Sequence, residues 1–507
     1  MQRQKSTRLL KSVLTVTGFS ICTRAIAFLF KIYLSRTLGA EIMGLYQMAL
    51  TVFFTFIALS TGGVSTVLSR KIAEQNTLPT SDKGLKLLSS SLAIGVTVSL
   101  VCTAVAYLIL PYSHLFITDQ RAVPLLKIML PALTTTTFYI IIRGWFWGNK
   151  HFFDFSLSEM IEEILRVLFT LLFTSGLISA LSGDTGLALA FTVSDAIVMV
   201  VIVISFLYRG GRFVKGGGYK EILKPAMPLT TMKIFGSLVG TAVALILPSG
   251  LISGGMSIAE ATASVGRISA MANPLLYAPN AIITSLAVVL IPEMSEKHAQ
   301  KDLDGLSAEL SNGISLSVAV SGAFMVLYMS LGRELTTFLY ADSVAGEYLE
   351  KASFLLLVMP LSHVLSSALN SIGLEKENFI TYLVGTVLML VAMLTLPSRI
   401  GTLSVIVADF IFLLTTVIGN ICFLKKRVNQ SLGILKSVLM VALFSIPCAT
   451  LTNYIYSLTN GINDVFALII SLIVGFVSYA IMVVIVGNVN PMTMLKTSES
   501  KPKKILQ

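Results

Sequence analysis

A chain of 507 residues with 55% hydrophobic and only 12% charged residues lies outside the composition of soluble globular proteins. Apolar runs of about 20 residues follow one another with short polar gaps, each long enough to cross roughly 30 Å of hydrocarbon. The net charge of +11 is concentrated beside those runs, which assigns it to membrane topology and anionic lipid headgroups and argues against a nucleic-acid partner.

The N-terminal "MQRQKSTRLLKS" is basic and leads into a long apolar run without an A-x-A-like cleavage site, which predicts a retained first helix. Fourteen membrane spans are expected at about 9–35, 42–69, 86–111, 122–146, 155–180, 185–208, 219–248, 258–291, 310–331, 349–372, 378–398, 401–424, 435–456 and 464–488. The eighth is interrupted by Pro274 and Pro279. An even count places both termini on one side. The termini and every second loop hold twenty-six Lys and Arg, from Arg3 and Lys5 to Lys503 and Lys504; the opposite loops hold six, namely Arg36, Arg121, Lys127, Arg333, Lys351 and Arg399. By the positive-inside rule both termini are cytoplasmic.

Cys22, Cys102, Cys422 and Cys448 are scattered singly, without the spacing of a metal site. Phosphate-binding glycine loops and the H-E-x-x-H and G-x-S-x-G motifs are missing, so no catalytic residues, no metal site and no enzymatic activity are expected.

An internal repeat organises the chain. "VSDAI" (193 to 197) answers "VADFI" (407 to 411), "LLKSVLTVT" (9 to 17) answers "ILKPAMPLT" (222 to 230), and "MLP" (129 to 131) answers "VMP" (358 to 360). The expected division is a six-helix lobe at 1–212, a second at 213–427, two further helices at 428–490 and a cytoplasmic basic tail at 491–507. Even-numbered lobes make parallel repeats, as in transporters that rock two halves about a central path.

Three segments carry a family resemblance: "SRTLGAEIMGLYQMALTVFFTFIALSTGGVSTVLSRKIAEQ" (35 to 75), "RGWFWGNKHFFDFSLSEMIEEILRV" (143 to 167) and "NPLLYAPNAIITSLAVVLIPEMSEKHAQKD" (273 to 302). They resemble the stage V sporulation protein B-like polysaccharide and oligosaccharide exporters of the multidrug/oligosaccharidyl-lipid/polysaccharide superfamily, relatives of the lipid II flippases. In the second segment Arg143, Gly144, Gly148, Glu162 or Glu163, and Arg166 stand in matching places. Two departures are visible: "GGVS" (62 to 65) lacks the family's usual proline, and "GTAVALILPSG" (240 to 250) lacks a frequent acidic residue. The resemblance implies a V-shaped pair of six-helix bundles plus two C-terminal helices, and alternating access for a polyprenyl-pyrophosphate-linked sugar. It also implies a groove for the polyprenyl tail along the last two helices.

Buried charges are the candidate site. Arg24 and Lys31 lie two turns apart on one helical face. With Lys233 and Arg267 they would line the cavity of the resembled fold and take over part of the solvation of a desolvated pyrophosphate. Snorkelling or a structural ion pair is the other reading of Lys31. Glu159, Glu162, Glu163 and Arg166, at i, i+3, i+4 and i+7, form either a gating motif or an inter-helix clasp. Asp195 and Asp409, related by the repeat, are either coupling carboxylates or duplicated packing contacts. The repeat partner of Arg24 is Ser237, so shared architecture does not require a cation there.

The expected function is translocation of a lipid-linked peptidoglycan precursor or polysaccharide unit by a monomer in contact with membrane lipids. No cofactor is expected beyond a coupling ion, H⁺ or Na⁺, or the membrane potential. The alternative within the same fold is an ion-coupled drug or metabolite antiporter, which would want acids rather than cations in its cavity. A scaffold or a polytopic glycosyltransferase fits less well, because no loop exceeds about twenty residues and a scaffold has no use for buried cations.

Overall fold

The structure, a computed structural model, describes residues 2–75, 82–175, 183–425, 433–461 and 463–485, with their side chains from Thr15 onward except at 75, 82, 285–289 and 292. The expected basic tail at 491–507 and the junction at 427 and 428 lie outside the described residues. The described chain is helical throughout, with no strand among these residues. Among the described residues ten helices are long and apolar enough to cross a membrane, or eleven when the bent pair Ala122–Met129 and Ala132–Gly148 is one span. The sequence count of fourteen is therefore not reproduced by length and apolarity. The first of the ten, Thr15–Glu74, covers two of the expected spans and turns between them at Gly39. There φ is +76° and ψ 173°, a conformation that only glycine adopts without strain. Phe152–Thr174 is not among the ten; it carries Asp154, Glu159, Glu162, Glu163 and Arg166.

Helix ends follow local chemistry. Asp302 caps the Leu303–Tyr340 helix by accepting from the Gly305 amide at 2.9 Å, and Asp342 caps Ser343–Ala352 by accepting from the Ala345 amide at 2.8 Å. Around the expected eighth span the prolines divide the chain. Pro274 begins the short helix Asn273–Leu276, Pro279 precedes Asn280–Ala299, and a π-helical turn, Gly266–Ala272, stands before both. Pro225, Pro228 and Pro248, by contrast, lie inside the continuous helix Tyr219–Ser253.

Packing divides the chain into two units: Met1–Ile252 with Met256–Gly266, and Ser253–Gly255 with Arg267–Gln507. The Tyr219–Ser253 helix, which the repeat counts with the second half of the sequence, packs within the first unit. One core of that unit joins Val67, Leu68 and Ile72 to Leu87, Ile142, Phe146, Phe206 and Ile222. It requires close helix contact: a Cβ at Gly144 would stand 2.7 Å from the Ser65 hydroxyl, and one at Gly148 2.7 Å from the Ser69 carbonyl oxygen. The two glycines of the second resembling segment thus let Ala132–Gly148 lie directly on Val64–Gln75. The second unit has its own core, in which Leu310, Ile314 and Val318 meet Val364, Leu365, Leu369, Val441 and Tyr479.

Candidate functional site

The densest buried charge is in the first unit, on the Phe152–Thr174 helix. Four carboxylates and two guanidiniums form it. Arg166 Nη2 lies 2.7 Å from Glu162 Oε1 and 3.2 Å from Asp195 Oδ1, and Nη1 lies 3.5 Å from Glu163 Oε2. Asp195 is 3% exposed and also accepts from the Thr136 hydroxyl. One turn earlier Arg143 donates to Glu159 Oε2 at 2.7 Å, and its guanidinium stacks 4.1 Å from the Phe155 ring centre. Two orphan donors remain, Arg143 Nε and Arg166 Nε. Lys31 stands within electrostatic reach of Glu163, so this sequence-selected cation has an acidic neighbour.

The geometry ties three helices together through Arg166 alone: its own, Gly183–Tyr208 through Asp195, and, by way of Asp195, Ala132–Gly148 through Thr136. Planar guanidinium donors suit this better than an ammonium would. Thr136 was not singled out by sequence reasoning. The run Thr134–Thr137 inside an apolar span was the available signal, since a hydroxyl buried in such a helix needs a partner.

Lys233 marks a second junction. The first helix ends at Thr61 and the next begins at Val64, leaving the backbone groups of Gly62 and Gly63 outside regular helix. Lys233 Nζ donates to the Gly62 carbonyl at 2.7 Å, and the Gly63 amide donates to Thr230 Oγ1 at 2.8 Å. A Cβ on Gly63 would run into the Ala226 carbonyl oxygen, and one on Gly62 would stand 2.6 Å from the Thr230 side chain. Two turns further along, Thr55 Oγ1 meets Ser237 Oγ at 2.9 Å and Thr241 Oγ1 at 2.7 Å. Ser237, the repeat counterpart of Arg24, is therefore a hydroxyl contact between helices.

Arg24 is different again. It is exposed on its helix and makes no hydrogen bond or ion pair with any described residue. Arg267 lies in the second unit, on the π-helical turn, where its Nε is 2.9 Å from Asp342 Oδ2. Asp342 is thereby both helix cap and ion-pair partner. Asp409 has no ion pair with a cation among the described residues. Tyr277 and Tyr348 lie within its field, and the Tyr348 hydroxyl is buried without a partner. The carboxylates that the repeat equates thus occupy unlike environments, one inside an arginine cluster and one among phenols.

A third polar junction in the first unit was not anticipated from the sequence. Asp119, 3% exposed, accepts from Arg121 Nη2 at 2.7 Å and from the Thr262 hydroxyl at 2.8 Å, while Arg121 Nη1 also reaches Glu41 at 2.6 Å. The loop at 116–121 thereby holds the Ile258–Val265 helix beside the turn at Gly39. Glycines again permit it, since a Cβ on Gly44 or Gly266 would collide with the carbonyl oxygen of Thr262 or Ala40. Asp-x-Arg in a loop is too common a pattern to single out.

This architecture is a multi-span, all-helical membrane fold. A lipid II flippase structure in an inward closed conformation superposes with a TM-score of 0.70 over 93% of this chain and 98% of that one, at 15% identity. An inward-facing multidrug resistance transporter of the MATE family and MOP superfamily gives 0.63 over 82% and 98%, also at 15% identity. Residues 9–298 match the family described as polysaccharide biosynthesis protein, and the chain belongs to that family. Among its relatives, stage V sporulation protein B of Bacillus subtilis (strain 168) is 25% identical over 389 residues, covering 73% of this chain and 74% of that protein. Lipid II flippase MurJ of the same organism is 20% identical over 481 residues, 87% of each chain. Of these, two are lipid II flippases and one is a multidrug transporter.

Proposed function

We infer that this protein moves a polyprenyl-pyrophosphate-linked sugar, a lipid II-like precursor or a polysaccharide unit, across the bacterial cytoplasmic membrane by alternating access. The observation that carries the reading is Arg24. An unpartnered guanidinium on a membrane helix is costly, and a diphosphate is an anion that such a group binds through paired N–H donors. Arg24 is the principal headgroup ligand in this reading. Lys233, which keeps N–H groups beyond the one given to Gly62, is the second, and Lys31 contributes charge beside Glu163. Arg267 belongs to the second unit, where Asp342 pairs with it, and is given no part in this site.

Family membership and the flippase and sporulation relatives support the substrate class. The likeness to multidrug transporters supports only the fold. Acids available to a cationic drug are what an antiporter of that kind would need, and here Glu159, Glu162, Glu163 and Asp195 are engaged by Arg143 and Arg166. For coupling, Asp409 is the preferred carboxylate because no cation among the described residues pairs with it. Asp195 belongs to the clasp.

The test is reconstitution of the purified chain into vesicles with a fluorescent polyprenyl-pyrophosphate sugar. Inner-to-outer translocation is compared for wild type, Arg24→Ala and Arg24→Lys. Loss in both variants, deeper in the alanine, is expected. Undiminished transport in Arg24→Ala would remove the cationic ligand, and absence of transport by wild type would remove the substrate class.

A further inference from the structure

One short segment packs away from its own connections. Met256–Gly266 belongs to the first unit, yet Ser253–Gly255 just before it and Arg267 just after it belong to the second. Both flanks are fastened in that second unit. A Cβ on Gly254 would stand 2.8 Å from the Ser398 carbonyl oxygen, and Arg267 Nε is 2.9 Å from Asp342 Oδ2. The segment is thus a strap, with the helix Ile258–Val265 at its centre, tethered at both ends to one unit and packed within the other.

Both ends are also jointed. Gly255 holds φ at +98° with nothing within 4 Å of where a Cβ would stand, a conformation that a side chain would strain. After Val265 the chain enters the π-helical turn Gly266–Ala272, and such turns interrupt the regular helical ladder where helices bend.

What packs the strap into the first unit is small. Its helix buries Ala261, Thr262, Ala263, Ser264 and Val265, with no long side chain among them. Hydrophobic stabilisation follows the apolar area buried, so these residues contribute little of it. Close backbone approach takes its place: a Cβ on Gly44 would collide with the Thr262 carbonyl oxygen, and one on Gly266 would stand 2.7 Å from the Gly44 amide nitrogen. The strap's hydrogen bond to a buried charge runs from Thr262 Oγ1 to Asp119 Oδ2 at 2.8 Å.

The receiving side is complete without that bond. Asp119 Oδ1 accepts from the Arg121 amide at 3.1 Å and from its Nε at 3.0 Å, and Oδ2 accepts from Nη2 at 2.7 Å. Arg121 Nη1 lies 2.6 Å from Glu41. If Thr262 leaves, no buried charge loses its counter-ion, which is the event that makes breaking a buried pair costly. The bond given up is that of a neutral hydroxyl, which water replaces.

We propose, on the alternating-access reading above, that Thr262 and Asp119 form a latch, and that the strap leaves the first unit and returns to it once in each transport cycle. In that cycle two halves move against each other, and a strap tethered to one half is either carried away or bent around. The joints permit both. The small buried residues and the self-sufficient Asp119 favour release.

Two measurements on the full chain in vesicles test this, with Cys22, Cys102, Cys422 and Cys448 replaced by serine. In the first, Asp119→Cys and Thr262→Cys are joined by a short bifunctional thiosulfonate. Translocation of the fluorescent lipid-linked sugar should stop on bridging, relative to the unbridged double variant, and return when the bridge is reduced. Undiminished transport by the bridged carrier would overturn the latch. In the second, spin labels on Leu115→Cys and Ile258→Cys, both exposed positions, report their separation by pulsed electron resonance without substrate. This needs neither the bridge nor a substitution at Asp119. Thr262→Val, which leaves Asp119 with Arg121, should shift the population about tenfold toward a longer separation, the factor that one hydrogen bond to a charged group supplies. A single separation that Thr262→Val leaves unchanged would overturn the latch as well. If wild type moves no lipid-linked sugar, the substrate class falls, and the separation measured without substrate alone decides the latch.

Discussion

Arg166 and Asp195 stand 3.2 Å apart with side chains 18% and 3% exposed, and Thr136 holds the other carboxylate oxygen. Replacing Asp195 by alanine leaves Arg166 with Glu162 and Glu163 but removes two hydrogen bonds to a buried carboxylate, from Arg166 and from Thr136, a loss of about 3–6 kcal/mol. Asp195→Ala should therefore lower the melting temperature strongly. Asp195→Asn keeps an acceptor for Arg166 or Thr136 and should lose about 1–3 kcal/mol. Thermal melts in detergent of both variants check this, and an unchanged melt for the alanine would show that the pair does not hold these helices together.

Glycine contacts in the first unit give a sharper contrast. Gly63→Ala places a methyl against the Ala226 carbonyl oxygen and 2.8 Å from the Leu229 Cβ, an overpacking that costs about 1–3 kcal/mol. Gly18→Ala meets nothing within 4 Å and gains up to about 1 kcal/mol of helix propensity. The melting temperature should fall in the first and hold or rise in the second.

What was legible in the sequence, and what was not, follows from the range of the interactions. Helical membrane architecture was legible because composition and run length alone decide it. Glu162 and Arg166 were legible as partners because i, i+4 spacing is local. Asp195 as the third member was not, since it lies 29 residues from Arg166 and no periodicity connects them. The repeat also suggested that Asp195 and Asp409 share an environment. Sequence symmetry preserves the position of a residue along its helix but not its neighbours, and here one has Arg166 and the other Tyr277 and Tyr348. Lys233 was visible as a cation in an apolar span. Its bond to a backbone carbonyl depends on the break at Gly62, which only the fold reveals.

The junction at Asp119 should respond to acid. Burial would raise this carboxyl, but hydrogen bonds from Arg121 and Thr262 outweigh it and hold the group below the usual carboxylate range. A depressed carboxyl stabilises the fold fully above its unfolded value of about 3.9, and that contribution is lost as pH falls through the lower folded value. Asp119→Asn should therefore melt below wild type near pH 7, by about 1–3 kcal/mol of charge-assisted bonding, with the gap closing as both are acidified toward about pH 3 and below. A gap that stays constant with pH would show that the ionised form contributes nothing.

Lys233 separates charge from architecture. Its ammonium reaches the Gly62 carbonyl at 2.7 Å, a bond that a neutral amide N–H can replace in kind, while the side chain remains partly open. If Lys233 only closes the helix break, Lys233→Gln should restore most of what Lys233→Met loses, about 0.5–1.5 kcal/mol for one hydrogen bond, and transport should follow stability. If its charge also meets a diphosphate, the two measurements must part. Lys233→Gln would then melt close to wild type yet translocate several-fold more slowly, and Lys233→Arg would recover transport, since a guanidinium offers both a donor for Gly62 and charge for phosphate. The second pattern is expected, and melts run beside vesicle translocation on the same three variants decide between them.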